Sequence, residues 1–413
     1  MDMQNNYVIA HLSDLHLGYS AGHKVNEEGV NLRECDGFDA FNEIISQIIE
    51  DGTVDVVLVA GDLFHTPTPD IRSMIVAQHG FRKLAKAGLK VYVISGNHDQ
   101  SDIRSEIASS KIVDDPDNNI FSHAEPYVVH EIFPDIYLHL VSHHLFSEQA
   151  ATFDKVKPHK NAFNIFSAHG TMRDPENNEV IHMEAPAPRE IIIPSTMVDD
   201  EDWNYCLLGH IHERRYVGKT GKILYNGSSI RRGFSDGVTD LGRGWTKWTL
   251  HTDGTMTSEF KLIHQRPQID YDVIDAKNFT ADEISSIITD RLRDDLDNVK
   301  TSDDMPMLRQ RIINISAAKK RSLDLAAIKD LISDKTLTWV MPTQTVEETE
   351  LKAEKQRQLG KDDSLNGSIS EKYSKWLGGN NEFSSLQDDI KKEVASNTKN
   401  YIEKGVESTL DNE

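Results

Sequence analysis

The sequence predicts an α/β fold in which a β-sandwich flanked by helices is followed by a small α/β domain and a helical C-terminal tail. Three observations predict it. From Tyr7 to about Ile263, short apolar runs typical of buried strands alternate with helical patterns. After Pro267 the pattern becomes helix, strand, helix, strand, and beyond Pro342 the chain is highly charged. Because one core rarely serves a chain of 413 residues, we predict domains over 1–265, 267–345 and 346–413.

Five apolar runs of the first domain are predicted to be strands, and polar residues follow each of them. The runs are 7–12, 55–60, 91–95, 163–167 and 205–208. Two helices are predicted from apolar residues that recur at helical spacing. The first has Phe38, Phe41, Ile45 and Ile48, and the second has Ile71, Met74, Ile75 and Phe81.

The second domain and the tail are predicted from the same periodicities. Thr280 and Glu283 form a capping box that starts a helix, and strands are predicted over 308–315 and 337–341. A helix between these strands has an apolar face made of Leu325, Ile328, Leu331 and Ile332. The tail has two such faces, Ile369, Tyr373, Trp376 and Leu377, then Phe383, Leu386, Ile390 and Val394. They either pack on their own domain or dock on another protein.

Potential metal ligands follow the five strands of the first domain. They are Asp14 and His16, Asp62, Asn97 beside His98, His169, and His210 with His212. Each motif alone is common in ordinary turns, whereas a set in which every turn follows an apolar strand is not. Asp, Asn and His without cysteine suit a pair of divalent cations better than a structural zinc, which usually recruits thiolates. We therefore expect a two-metal phosphoester hydrolase.

The spacing suggests how these ligands are shared between the two ions. Asp14 and His16 lie two apart just past a strand, so their side chains point to one side and can bind one ion. The two histidines after the fifth strand converge in the same way. Asp62 has two carboxylate oxygens and is the candidate bridge between the ions. If the Asn97 carbonyl is a neutral ligand, His98 is free to act as an acid or to stabilise charge.

Composition and charge narrow the setting. Cys35 and Cys206 have no paired spacing, which predicts no disulfide framework and a reducing cytoplasm. We expect a cytoplasmic protein, or one in the host cytoplasm if a phage encodes it, without a secretion signal or membrane span. The net charge of -22 opposes unaided binding to duplex DNA. Arg231, Arg232 and Arg243, near the motifs, are either DNA contacts or part of a solvated loop.

The order of these motifs resembles the calcineurin-like metallophosphoesterase superfamily. The stretches 11–18 (HLSDLHLG) and 60–65 (AGDLFH) are similar to its DNA repair nuclease branch, which contains bacterial SbcD. The segment 225–229 (YNGSS), followed by Phe234 and Asp236, resembles the family's Gly-Ser turn, with Asn226 where a proline is often found. The resemblance covers roughly the first 265 residues.

The resemblance implies a role for each candidate residue. One ion is expected among Asp14, His16, Asp62 and His212, and the other among Asp62, Asn97, His169 and His210. His98 matches a catalytic position, and His65 matches a histidine near the scissile phosphate. His143 also ends a strand and competes with His169, but the Ala-His-Gly wording favours His169.

The expected function is that of a DNA nuclease subunit, an exonuclease and also a candidate endonuclease. The resemblance implies two divalent cations, with Mn²⁺ the first choice, a homodimer, and a partner ATPase related to SbcC. The 267–345 domain would help to position DNA, and the tail would bind the coiled coil of the ATPase. The alternatives are a phosphatase or cyclic-nucleotide phosphodiesterase with the same metals, and a non-catalytic scaffold for the ATPase.

Overall fold

The computed structural model describes residues 6–100, 107–143, 153–173, 191–194, 203–234, 236 and 242–350. The chain forms two compact units. The first consists of Met1–Asp272, Ser285–Arg311 and Asp324–Met341, and the second of Val273–Ile284, Ile312–Leu323 and Pro342–Glu413. The predicted domain boundaries at 265 and 345 remain predictions. No helix in the described part of the chain has both the length and the apolarity needed to cross a bilayer.

The first sheet has six strands. They are β1 (Tyr7–Leu12), β2 (Val56–Ala60), β3 (Lys90–Ile94), β4 (Ile120–His123), β13 (Gly244–Leu250) and β14 (Met256–Leu262). Their order is β14-β13-β1-β2-β3-β4. The four strands from β1 to β4 are parallel, and β13 and β14 run antiparallel to their neighbours at one side.

The second sheet also has six strands. They are β5 (Val128–Phe133), β6 (Ile136–Val141), β7 (Phe163–His169), β10 (Tyr205–Gly209), β11 (Arg215–Val217) and β12 (Ile223–Tyr225). Their order is β11-β12-β10-β7-β6-β5, with β6, β7, β10 and β12 parallel. A short parallel pair, β8 (Thr171–Met172) and β9 (Ile192–Ile193), forms a separate ladder.

An apolar layer joins the two sheets into a sandwich. Ile9 and Leu58 of the first sheet and Ile165 and Leu207 of the second are fully buried in one cluster. Strands buried on both faces read as continuous apolar runs, which is why these segments were predictable. The sandwich predicted from the sequence is confirmed.

Two helices cover the outer face of the first sheet. The helix α1 (Leu32–Asp51) begins after Asn31, and α2 (Ile71–Lys86) begins after Asp70, whose side chain accepts the Arg72 and Ser73 N–H groups. The helix predicted from Phe38, Phe41, Ile45 and Ile48 is present, and all four side chains are buried. In α2, Phe81 is buried, but Ile71 and Ile75 are 74% and 46% exposed. The helix predicted from this spacing is present, and these two isoleucines lie on its exposed side.

A third sheet has the order β15-β16-β17, with strands Gln268–Asp275, Met307–Ile313 and Thr338–Val340. The helices here are α3 (Ala281–Leu296), α4 (Ala317–Arg321) and α5 (Leu325–Ile332). The capping box is present, since Thr280 N–H donates to Glu283 Oε2 at 2.7 Å and Glu283 N–H to Thr280 Oγ1 at 3.2 Å. The strand β15 was not predicted. Leu325, expected on the apolar face of its helix, is 51% exposed. The tail helices, with Trp376, fall within 351–413, outside the described residues.

Candidate metal centre

The backbone of four predicted site residues lies in the left-handed region. Asp14, His16, Asp62 and His210 have φ values of 53°, 46°, 54° and 101°. Non-glycine residues adopt this region rarely, and only where the surroundings hold them there. Two backbone bonds do so, from Asp14 N–H to Gly61 O and from His16 N–H to Asp62 O, each 3.0 Å. The turns after β1 and β2 are thereby fastened together, and their side chains share one pocket.

Two glycines allow the side chains of this pocket to approach closely. Gly61 has a φ of 89°, and a Cβ there would overlap the His169 imidazole. A Cβ at Gly96 would overlap the Asp62 carboxylate. The Gly-Asp and Gly-Asn-His-Asp motifs thus need glycine for space at the centre itself.

Ligand atoms from both sheets converge at this end of the sandwich. In the described part of the chain, three sets of three side chains place their ligand atoms within 4.8 Å of one another. The sets are Asp14, His16 and His212; Asp14, Asp62 and His169; and His16, His65 and His98. Asp14 belongs to two sets and His16 to two, so the sets form one continuous centre.

Asp62 occupies the middle of that centre. Its Oδ2 lies 3.5 Å from His16 Nε2 and 3.3 Å from His169 Nε2, so one carboxylate oxygen meets imidazoles from both sheets. Its Oδ1 accepts the His98 N–H at 2.9 Å. Burial raises the pKa of Asp62, but His169 and then His16 outweigh burial and hold it well below its ordinary value. The carboxylate has the placement and charge that a bridging ligand requires.

The donor set fits a divalent cation beside His169. Its Nδ1 lies 2.9 Å from Ala60 O, so Nδ1–H donates there and Nε2 faces Asn97 Oδ1 at 3.0 Å and Asp62. Burial opposes a positive charge, but Asp62 raises the pKa of His169 to about 10. The lone pairs of His169 Nε2, Asn97 Oδ1 and Asp62 Oδ2 can share either a proton or a metal cation. Metal binding displaces such a proton from the ligand.

A carboxylate outside the centre orients His212. His212 Nδ1 donates to Asp236 Oδ1, which leaves Nε2 facing His16 Nε2 at 3.0 Å and Asp14 Oδ1 at 3.8 Å. Burial raises the pKa of Asp236, but His212 lowers it to about 2, so Asp236 is ionised. Such partners fix the tautomer and direction of ligating histidines.

His210 and Asn97 complete the predicted ligand set. The His210 backbone N–H donates to Asp14 Oδ1 at 3.0 Å, and its Nδ1 lies 3.2 Å from Asn97 Oδ1. All seven side chains predicted to bind metal are therefore brought to one end of the sandwich. The alternative ligand His143 donates its backbone N–H to Ser95 O and belongs to none of the three described sets. His169 belongs to the set with Asp14 and Asp62.

His65 and His98 lie together on the more open side of the centre. Their rings are stacked with centroids 5.2 Å apart, and both are half-buried where Asp14, His16, Asp62 and His169 are buried. His98 Nδ1 donates to His65 O at 2.7 Å, so its Nε2 is the nitrogen left for a substrate atom. Burial and then His98 lower the pKa of His65 to about 4, which keeps His65 neutral at pH 7.

Two residues near the centre have roles that the sequence did not predict. Asp99 is fully buried and accepts the N–H groups of Leu63, Phe64 and Gly96 at 3.2, 2.9 and 2.9 Å, which joins the loops after β2 and β3. Its place in the Asn-His-Asp motif was the available signal. Arg243 is also buried and donates to His212 O and Asp236 O, so it is neither a DNA contact nor part of a solvated loop.

The fold and the centre define a metal-dependent phosphoesterase. The calcineurin-like phosphoesterase family model matches residues 7–214, and the chain belongs to this family. The family implies divalent metals, and the described Asp and His side chains form candidate groups to bind them.

The chain is similar to several known proteins. It is 27% identical to the uncharacterized metallophosphoesterase YhaO of Bacillus subtilis strain 168 over 68% of this chain and 66% of YhaO. It is 26% identical to the DNA double-strand break repair protein Mre11 of Methanocaldococcus jannaschii over 54% of this chain and 56% of that protein. The match thus spans less than two thirds of either relative. The crystal structure of TT1561 of Thermus thermophilus aligns with 62% of this chain and 99% of that one, at 10% identity and a TM-score of 0.38.

Proposed function

We propose that the chain is a DNA nuclease, an exonuclease with endonuclease cleavage as a further candidate activity, that uses two divalent cations with Mn²⁺ as the expected metal. The observation that carries the proposal is the Asp62 carboxylate between His16 and His169, with the His65–His98 pair on the open side. The likeness to Mre11, a DNA double-strand break repair protein by name, supports DNA as the substrate.

The proposed ligand sets are those that the family resemblance implies. One ion would be held by Asp14, His16, Asp62 and His212, and the other by Asp62, Asn97, His169 and His210. The described cluster of Asp14, His16 and His212 and the contacts of Asn97 with His169 and His210 support this division. When bound, such a pair activates water and neutralises phosphate charge. The residues then contribute orientation: Asp236 aims His212, and Ala60 O aims His169.

His98 is the proposed proton donor to the leaving oxygen. Because the His65 carbonyl accepts the Nδ1 proton of His98, the proton that is transferred must be a second one, carried on Nε2 before the leaving oxygen departs. The His65 ring, kept neutral, lies beside it and is proposed to contact the scissile phosphate. No side-chain nucleophile is needed, because the attacking group is water.

Parallel assays of two substrate classes test the proposed function. The purified chain with Mn²⁺ should degrade end-labelled single- and double-stranded DNA, and should cleave the diester bis(p-nitrophenyl) phosphate more slowly. Chelation should stop both reactions, and added Mn²⁺ should restore them. If p-nitrophenyl phosphate is hydrolysed rapidly while DNA stays intact, the chain is a phosphatase. Inactivity with all substrates would favour a scaffold.

We also propose a homodimer that uses an exposed apolar surface on α2. Ile71 and Ile75 lie one turn apart and are 74% and 46% exposed, and Ile112, 44% exposed, lies nearby because its carbonyl accepts Gln78 Nε2–H at 2.9 Å. An apolar surface of this kind on a charged chain suits a two-fold interface, where the same patch meets itself.

Ile75→Glu should convert the dimer into a monomer, because two charges would be buried against apolar side chains at the interface. Light scattering during gel filtration measures the mass, and cleavage of bis(p-nitrophenyl) phosphate should be unchanged. Leu325→Glu is the matched control, since it places the same charge at an exposed apolar position, 51% exposed, at the start of another helix. A wild-type chain that runs as a monomer would contradict the dimer, as would a dimeric Ile75→Glu variant.

An SbcC-like coiled-coil ATPase is the proposed further partner, bound by the tail beyond the described residues. Co-purification of such an ATPase with the full chain, and its loss when 368–413 is deleted, would support this assignment.

A further inference from the structure

Arg232 stands at the edge of the metal centre on a firmly held loop. Its backbone N–H donates to Asp236 Oδ2 at 2.9 Å, and its carbonyl accepts the Tyr19 hydroxyl at 2.7 Å. Asp236 also orients His212, and the edge of the Tyr19 ring meets His65 with centroids 5.0 Å apart. The position of Arg232 is therefore fixed to both the ligand side and the open side of the centre.

The guanidinium lies against the His212 imidazole. One terminal nitrogen is 3.2 Å from His212 Nδ1 and 3.3 Å from Nε2. Because the His212 Nδ1 proton is donated to Asp236, Nε2 is the only nitrogen of His212 that can accept from the guanidinium, and Nε2 is also the nitrogen proposed to bind a metal. No carboxylate among the described residues forms an ion pair with the Arg232 side chain.

The positive charge of the Arg232 guanidinium lies close to the histidines on the open side of the centre. The His212 imidazole that it contacts lies edge to face with His16, and the His16 ring in turn meets His65 and His98. A cation beside these imidazoles and two divalent metals would be unfavourable in the free protein, and it would become favourable when an anion enters. A phosphodiester carries one negative charge and gains more in the transition state of hydrolysis.

We propose that Arg232 binds a non-bridging oxygen of the scissile phosphate, beside His65. The planar fork of the guanidinium suits phosphate oxygens, and the loop holds it in place before substrate arrives. In a chain with a net charge of -22, such a cation at the centre would also offset the repulsion of a polyanion. This inference rests on the proposed phosphodiesterase function.

Two substitutions separate the role of the charge from that of the fork. With Mn²⁺ and bis(p-nitrophenyl) phosphate, Arg232→Gln should lower kcat/KM by about 10²-fold, mostly through kcat. Arg232→Lys should recover part of the loss, since it keeps the charge without the fork. Inhibition by inorganic phosphate should weaken in parallel. Arg293→Gln, which removes the same charge from an exposed helix position, should behave as the wild-type chain.

Manganese content distinguishes substrate binding from support of His212. It should be unchanged in Arg232→Gln. A kcat/KM within about twofold of wild type overturns the proposal, and so does a fall in bound manganese that accounts for the lost rate. If the wild-type chain hydrolyses no substrate, the proposed function fails separately. Arg232 is then judged by the thermal stabilisation that inorganic phosphate gives the Mn²⁺-loaded chain: its loss in Arg232→Gln supports phosphate binding, and its retention overturns it.

Discussion

Asp62→Asn is expected to abolish metal-dependent hydrolysis, lowering kcat/KM by about 10³-fold or more, while the chain stays folded. The substitution removes the charge of the oxygen that meets both His16 and His169. The amide oxygen can still accept the His98 N–H, so the turn keeps its backbone contact. Bound manganese should fall with activity, measured by elemental analysis beside kinetics and circular dichroism.

The control for this experiment is Asp253→Asn. Asp253 lies in the exposed turn between β13 and β14, where its side chain accepts the Thr255 N–H. It loses the same charge far from the ligand set, and both activity and manganese content should match the wild type. Normal turnover of Asp62→Asn in metal-limited buffer would refute the assignment of Asp62 as the bridge.

His98→Ala is expected to lose about 10²- to 10⁴-fold in kcat while manganese content and DNA binding survive. The reason is that His98 contributes Nε2 to the open side, whereas its backbone N–H, which Asp62 needs, is retained in alanine. The loss should be smaller for substrates with a good leaving group, such as p-nitrophenolate, because these need less protonation.

His23→Ala provides the matched histidine control, because His23 is exposed and lies outside the three described ligand sets. Collapse of the manganese content in His98→Ala would show that His98 is a ligand, as its proximity to His16 and His65 allows. The division between ligand and acid would then have to be redrawn.

The sequence predicted the sandwich and the gathering of the candidate residues because both depend on local signals. A parallel strand buried on two faces is an apolar run, and the residue after its last apolar position must emerge at the carboxyl edge of the sheet. Asp14 and Asp62 could be placed in this way, as could His210. Nothing in this reasoning required knowledge of which strand lies beside which.

The remainder depends on contacts between distant segments. Asp236 meets His212 across 24 residues of chain, and Asp99 meets Phe64 across 35. Their partners become apparent only once the loops are folded. Helical periodicity also does not show whether an apolar side chain faces its own domain or the surface, as the exposed Ile71 and Ile75 illustrate.

The arrangement of β1 and β13 bears on how the centre forms during folding. Tyr7 pairs with Leu250 and His11 with Thr246. The pairing of β1 with β13 therefore cannot form until the chain has been made as far as residue 250. Pairings this distant are slow to form, because loop closure precedes any gain from the contacts. A nascent chain that has emerged only as far as Asp99 holds Asp14, Asp62 and Asn97 but none of the histidines of the second sheet. Hydrolysis is therefore expected to begin only after the strands that follow residue 200 have joined the two sheets. The time at which activity appears then reports when the sandwich has formed.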